Sequence, residues 1–169
     1  DQNAMEKLII RCAELHLEHI RAHGDPFEFG QARPLDFGHW SAHKLEAMSD
    51  YRISHGHAVA IGITLDAHYA MTQSWLAPDE FNAIYSGLTN SGFALWHNLL
   101  ESRAPDGALE ILKGLSDFQE HLGGALCITM PRGIGQKFEI NQMDAQLIEQ
   151  TIAQMKELAR KRVFQASHR

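Results

Sequence analysis

The stretch that decides the fold runs from Arg33 to Ala70 and reads RPLDFGHWSAHKLEAMSDYRISHGHAVAIGITLDAHYA. Its first part, from Asp36 to Met48, has helical character, and we expect Asp36 to cap that helix. A turn over Ser49–Ser54 follows. From His55 to Leu76 the chain is mostly apolar and too long for a strand, which predicts a largely buried helix. This stretch therefore predicts two helices that are joined by a short turn.

The remainder of the chain continues the helical pattern in both directions. Apolar residues at steps of three and four predict four further helices, over residues 4–23, 78–88, 106–122 and 144–162. Residues 125–130 and 137–140 flank a glycine-rich turn and predict two strands of a β-hairpin. The expected fold is mainly α with one short hairpin, in one domain over residues 1–162 and a frayed tail over 163–169.

Composition excludes several classes of protein. With 169 residues, 44% hydrophobic residues and a net charge of −6, the chain is an ordinary globular domain. A pI near 6.0 argues against a nucleic-acid partner bound through phosphate neutralisation. The chain has no long apolar run and no secretory pattern, so we expect no membrane partner and a cytoplasmic location.

Cys12 and Cys127 lack CxxC spacing, which speaks against a disulfide framework. Since no GxGxxG motif occurs, no cofactor-binding residue is assigned.

Histidine is the unusual feature, with eleven in the chain. His39 and His43 are four residues apart on one predicted helix, so their Cβ atoms lie about 6 Å apart on the same face and can serve one metal or one anion. His55 and His57 stand at the start of the next helix, where backbone N–H groups and the dipole favour an anion or a polar ligand. By spacing alone, His39 and His55 meet only if the helices cross steeply or if the turn brings His55 back across the first helix. The other seven are interpreted as surface or core residues: His16, His19, His23, His68, His97, His121 and His168.

These two histidine segments carry a resemblance to a known family. Arg33–Glu46 resembles the signature LNxGHTxGHAxE of 3-dehydroquinate synthases, and Ser54–Gly62 resembles their LHGExVAxG signature. The sixteen-residue interval from His39 to His55 also agrees with that family. Residues 123–135, GGALCITMPRGIG, look like its C-terminal hairpin, so the resemblance extends from about Leu8 to Ile152.

The resemblance implies the mostly helical C-terminal domain of a sugar phosphate cyclase, a lyase. In that family Zn²⁺ or another divalent metal is held by two histidines and a glutamate, and His39 and His55 match the histidines. The glutamate belongs to an ExxK motif that is expected outside this chain, as is the N-terminal NAD-binding domain. His43 matches the histidine that contacts substrate and phosphate, and it is therefore assigned as catalytic.

Several residues depart from the family pattern. Asp36 replaces an asparagine, Trp40 a threonine, Ala42 a glycine and His57 a glutamate, while the motif's arginine falls one position later, at Arg33. The resemblance assigns Arg33, His43 and His57 to substrate binding. The implied substrate is a small sugar phosphate of a divergent, dehydroquinate-synthase-like branch.

Asp36 is the departure with the clearest chemical consequence. A carboxylate beside a phosphate repels it, which speaks against the shikimate-pathway heptulosonate phosphate as the substrate. Asp36 can instead accept the second ring N–H of His39 or His43 and orient that imidazole, and it is assigned as catalytic in this sense. The alternative is that Asp36 only caps its helix.

In the full-length parent, the resemblance implies transient oxidation of a substrate alcohol by NAD, elimination of phosphate, reduction of the ketone and an intramolecular aldol closure. This chain alone is then expected to be a fragment without catalytic turnover. Whether it forms a homodimer is left open. Two alternatives remain: a domain of a glycerol-dehydrogenase-like or iron-type alcohol dehydrogenase, and a non-catalytic helical binding module. The GHxxxH spacing and the sixteen-residue interval favour the cyclase.

Overall fold

The computed structural model describes residues 1–23, 34–122 and 124–166. The chain divides into two compact units, Asp1–Arg33 and Pro34–Arg169. The first unit contains α1, Gln2–His23, which confirms the predicted amphipathic helix. Residues 24–33, which follow it, lie outside the described residues.

Over residues 34–122 and 124–166, the second unit contains five α-helices and one hairpin. The helices are α2 His39–Met48, α3 His55–Thr72, α4 Pro78–Asn90, α5 Lys113–Leu122 and α6 Ala145–Ala166. Strands β1 Ile128–Pro131 and β2 Lys137–Ile140 pair antiparallel, with Ile128 opposite Ile140. The mainly α fold with one short hairpin is therefore confirmed. Across residues 1–23, 34–122 and 124–166, no helix combines the length and the apolar character that crossing a bilayer would require.

Helix α3 forms the centre of the second unit. It packs against α2, α4, α6 and β1, and its residues Ile61 and Leu65 are buried with Leu45 of α2 and Met130 of β1. A helix that is covered on several sides must be apolar around most of its circumference. This explains the continuous apolar run that predicted a largely buried helix.

Three helix boundaries differ from the prediction by four residues or more. Helix α3 ends at Thr72, four residues early, where Ser74 adopts a positive φ of 61°. The predicted helix over 106–122 is helical as α5 only from Lys113, after a short 3₁₀ turn over Glu110–Leu112. Helix α6 continues through Ala166, four residues into the segment that was expected to be a tail.

The start of α2 corrects the expected role of Asp36. The helix begins at His39, and its N-cap is Gly38, which has a φ of 80° and makes no side-chain cap hydrogen bond. Asp36 instead ends a separate 3₁₀ turn, Pro34–Asp36. The prediction that Asp36 is the N-cap of this helix is therefore wrong, because the left-handed Gly38 takes that position and separates the 3₁₀ turn from the helix.

Two glycines allow α2 to approach α3 at backbone distance. An ideal Cβ built on Gly62 would lie 2.0 Å from the carbonyl oxygen of Gly38, and one on Gly38 would lie 2.5 Å from the Ile63 nitrogen. Neither position has room for a side chain. This contact sets the amino-terminal end of α2, and with it His39, directly on α3.

Candidate metal and substrate site

Three of the four predicted site histidines converge. The ring centroids of His39 and His43 are 5.6 Å apart, those of His39 and His55 are 5.3 Å apart, and those of His43 and His55 are 5.9 Å apart. His39 and His43 occupy successive turns of α2, while His55 is the first residue of α3. The structure therefore brings together His39 and His55, whose meeting the spacing alone had left open.

The turn over Ser49–Ser54, which joins α2 to α3, contains two residues with left-handed backbone. Asp50 and Tyr51 both have a φ of 56°, a conformation that reverses the chain direction at the end of a helix. The Ser49 hydroxyl donates to the carbonyl of Glu46 at 2.9 Å and accepts the N–H of Ile53 at 3.1 Å. The turn is therefore tied to the last turn of α2, and α3 starts close to the histidine face.

Hydrogen bonds indicate which nitrogen of the His39 and His55 rings carries the proton. Nδ1 of His39 lies 3.2 Å from the carbonyl oxygen of Phe37, and Nδ1 of His55 lies 3.1 Å from Oε2 of Glu46. A carbonyl and a carboxylate only accept hydrogen bonds, so each Nδ1 carries the proton. In the neutral imidazoles, Nε2 of both rings then keeps a lone pair. His39 and His55 thus offer two ligand nitrogens.

Glu46 is a functional candidate that the sequence analysis missed. Its side chain is 15% exposed against 56% for His55, so a largely covered carboxylate orients a more open imidazole. A carboxylate on the second nitrogen is the usual partner of a metal-binding histidine. The available signal was the position of Glu46 at the end of the signature and one turn beyond His43, but no role had been assigned to it.

Asp66 is the second residue that had not been predicted. It lies on α3 with no exposed surface, and its carboxyl accepts the Gly38 N–H at 3.1 Å and the Trp40 indole N–H at 2.8 Å. Burial raises the pKa of Asp66 to about 7, although both hydrogen bonds oppose that rise. Asp66 supplies the acceptor at the start of α2 that had been expected from Asp36.

Three predicted site residues remain: His57, Asp36 and Arg33. Nδ1 of His57 is 2.9 Å from Oγ of Ser54, and its ring lies edge-on to Phe93 with centroids 5.2 Å apart. Asp36 is partly buried, and its role toward the histidines stays a prediction. Arg33 falls outside the described residues.

A complete metal site is not formed within the ranges that the structure describes. There, no three histidine, cysteine, aspartate or glutamate side chains are grouped so that they could hold a metal ion. His39 and His55 provide two suitable nitrogens, whereas catalytic zinc sites use three protein ligands. The arrangement fits part of a catalytic metal site.

Comparison with known sequences finds 3-dehydroquinate synthases among the relatives of this chain. The family model described as 3-dehydroquinate synthase C-terminal matches residues 1–114. The 3-dehydroquinate synthase of Rhizobium meliloti (strain 1021) is 32% identical over 123 residues, which cover 68% of this chain and 31% of that protein. The 3-dehydroquinate synthase of Alkaliphilus metalliredigens (strain QYMF) is 26% identical over 141 residues, which cover 83% of this chain and 37% of that protein. The chain thus spans 31% and 37% of the length of these two curated relatives.

A solved structure agrees with the fold. ValA, the 2-epi-5-epi-valiolone synthase from Streptomyces hygroscopicus subsp. jinggangensis 5008 with NAD⁺ and Zn²⁺ bound, superposes with a TM-score of 0.78 at 23% identity, covering 92% of this chain and 41% of that chain. At this identity the likeness establishes the fold alone. The resemblance that the two histidine signatures carried is confirmed by the family model, which matches more than half of the chain. This chain therefore belongs to the 3-dehydroquinate synthase C-terminal family.

Proposed function

We propose that this chain is the metal- and substrate-binding domain of a sugar phosphate cyclase of the 3-dehydroquinate synthase type, whose NAD-binding domain lies outside these 169 residues. The observation that carries the proposal is the convergence of His39, His43 and His55 within 6 Å of one another by ring centroid. Family membership supports the reaction class.

The donor set fits a divalent transition metal. Imidazole nitrogen suits Zn²⁺, and the Nδ1 atoms of His39 and His55 are already engaged by Phe37 and Glu46, which leaves Nε2 as the ligand atom of both rings. When bound, the metal would polarise hydroxyl and carbonyl oxygens of the substrate as a Lewis acid. The third ligand is proposed to be the glutamate that the family resemblance implies, from outside this chain.

His43 is proposed to act on the substrate itself. It is exposed, it stands one helical turn from His39, and its ring lies within 6 Å of both ligand histidines by centroid. An imidazole in this place can donate a hydrogen bond to a phosphate oxygen and can exchange a proton near neutral pH. Arg33 and His57 remain proposed substrate contacts on the strength of the resemblance.

The proposed second cofactor is NAD, because the solved neighbour ValA holds NAD⁺ together with Zn²⁺. The family match favours the cyclase over the glycerol-dehydrogenase-like alternative. The other alternative, a non-catalytic helical module whose histidines bind a metal or nothing, predicts no response of the site to a sugar phosphate, and this difference can be measured directly.

The test is a metal titration of the purified chain by calorimetry, with Zn²⁺ and separately with Co²⁺. We expect weak binding by the wild type, since two strong ligands are present instead of three, and no measurable binding by His39→Ala or His55→Ala. His97→Asn is the matched control, because it removes an imidazole whose Nδ1 caps a 3₁₀ turn, and asparagine is also a good cap. Equal binding by all four proteins would refute the metal role, and a nanomolar dissociation constant would contradict an incomplete site.

A second measurement addresses the substrate. A sugar phosphate is added to the Co²⁺-loaded chain, and the cobalt absorption spectrum is followed. We expect the spectrum to change in the wild type and to stay constant in His43→Ala, which keeps both ligand histidines. The chain alone should release no phosphate from a heptulose phosphate in the presence of NAD, and such release would show that the chain is catalytically complete.

A further inference from the structure

The residues on either side of His39 are held by one side chain of another helix. Asp66 of α3 accepts the backbone N–H of Gly38 at 3.1 Å and the indole N–H of Trp40 at 2.8 Å. Gly38 immediately precedes His39 and Trp40 immediately follows it. A single carboxyl group therefore restrains both chain neighbours of a proposed ligand.

The contact is buried on both sides. Asp66 has no exposed surface, and Trp40 is 1% exposed. A carboxyl group in such a place is costly unless its oxygens are hydrogen-bonded, and each oxygen of Asp66 has one of these two donors. The carboxyl group also stabilises the start of α2, because the first N–H groups of a helix lack partners within the helix and the helix dipole favours an acceptor there.

The surrounding backbone leaves the start of α2 little freedom to adjust. The Gly38 carbonyl oxygen contacts the backbone of Gly62 so closely that no Cβ would fit there. Nδ1 of His39 lies 3.2 Å from the carbonyl oxygen of Phe37. Movement of the Asp66 carboxyl would shift Gly38 and Trp40, and would carry His39 with them. Trp40 stands where the family signature has a threonine, so the indole contact is a feature of this chain.

We propose that Asp66, through Gly38 and Trp40, is a positioning residue that sets the place of the His39 imidazole relative to His55. The inference rests on the proposed function, in which these two histidines are ligands. It makes Asp66 and Trp40 determinants of metal-site geometry that do not themselves touch the metal or the substrate.

The experiment compares Asp66→Asn and Trp40→Phe with the wild type. Asparagine replaces one of the two acceptor oxygens by an NH₂ group that only donates, and phenylalanine keeps an aromatic ring but lacks the indole N–H. Thr64→Val is the matched control, because Thr64 is also buried on α3 and its hydroxyl donates to Ala60 at 2.8 Å within the same helix. All three variants change a buried polar group, but only the first two alter the contact to the start of α2.

The first readout needs no metal. In the metal-free protein, nuclear Overhauser contacts between the ring protons of His39 and His55 report the 5.3 Å approach of their centroids. We expect these contacts to weaken in Asp66→Asn and Trp40→Phe and to persist in Thr64→Val, with the helical circular dichroism retained. The second readout is Co²⁺ affinity, which should fall about tenfold or more in the first two variants, as when a ligand's orienting partner is lost.

The outcomes separate the two proposals. If the two variants lose the ring contacts and the wild type binds no metal, the positioning role is supported and the metal role is refuted. Folded variants with unchanged ring contacts and unchanged Co²⁺ affinity would overturn the positioning role and leave the metal role intact. If both variants fail to fold while Thr64→Val folds, the pair is required for folding itself, which also overturns the inference.

Discussion

Gly62→Ala tests the backbone contact on which the whole histidine face depends. The new Cβ would lie 2.0 Å from the carbonyl oxygen of Gly38 and 2.8 Å from Oγ of Ser41, whereas ordinary contact begins at 3.4 Å. The start of α2 must therefore retreat from α3 by more than an ångström. Overpacking of this kind costs about 3 kcal/mol at the upper end of its usual range, and the higher helix propensity of alanine returns about 1 kcal/mol. We expect a net loss of about 2 kcal/mol in the free energy of unfolding.

The assay is urea denaturation followed by circular dichroism, and Gly87→Ala is the matched control. Gly87 also lies inside a helix, α4, but a Cβ there would meet nothing within 4 Å. That substitution should stabilise the protein by about 0.5–1 kcal/mol through backbone entropy and helix propensity. The two variants should thus move the free energy of unfolding in opposite directions. Gly62→Ala should also weaken Co²⁺ binding, because the displaced Gly38 immediately precedes His39.

One result would refute this reasoning. If Gly62→Ala is as stable as Gly87→Ala and binds Co²⁺ like the wild type, then the approach of α2 to α3 does not constrain the site.

Three further predictions follow from individual carboxyl groups. The pKa of Asp66 is raised from 3.8 to about 7 in the folded state, so its contribution to stability is fully present below pH 4 and is lost as the pH rises to about 7. The total loss is about 4 kcal/mol in the free energy of unfolding. Urea denaturation between pH 4 and pH 8 should show this loss in the wild type relative to Asp66→Asn, and parallel profiles would contradict it. Glu46→Gln removes the charge that faces Nδ1 of His55 and should weaken calorimetric metal affinity about 10 to 100-fold, whereas Glu149→Gln, in an exposed ion pair, should leave it unchanged. Asp36→Asn should weaken metal affinity to the same extent if Asp36 orients a ligand histidine, and equal affinities would remove that role.

Local sequence was sufficient for the positions and types of most secondary structure. The periodicity of α1 and the apolar run of α3 are properties of neighbouring residues, and a helix satisfies its backbone within four residues. The hairpin was likewise visible in two short segments around a glycine-rich turn, and β2 spans the predicted residues 137–140. The two histidine signatures also sufficed to identify the family, because their spacing is a linear property of the chain.

Helix ends required the tertiary structure. Asp36 looked like a cap because aspartate is a frequent N-cap residue, yet the acceptor at the start of α2 is Asp66, which is 28 residues away along the chain. No local pattern reveals an acceptor that is brought in by the packing of one helix on another. The same limit applies to Gly62, whose lack of a side chain matters only because the Gly38 carbonyl lies against it.

The sequence by itself determined which residue types could form the site, and only the tertiary structure decided which of them meet. Spacing left open whether His39 and His55 meet, and the structure brings their rings to 5.3 Å through a turn with left-handed backbone at Asp50 and Tyr51. That turn also brought Glu46 to the His55 ring and left His57 beside Phe93. The physical reason is that side-chain encounters between two helices depend on the turn and on their closest approach, and neither can be inferred from the period of one helix.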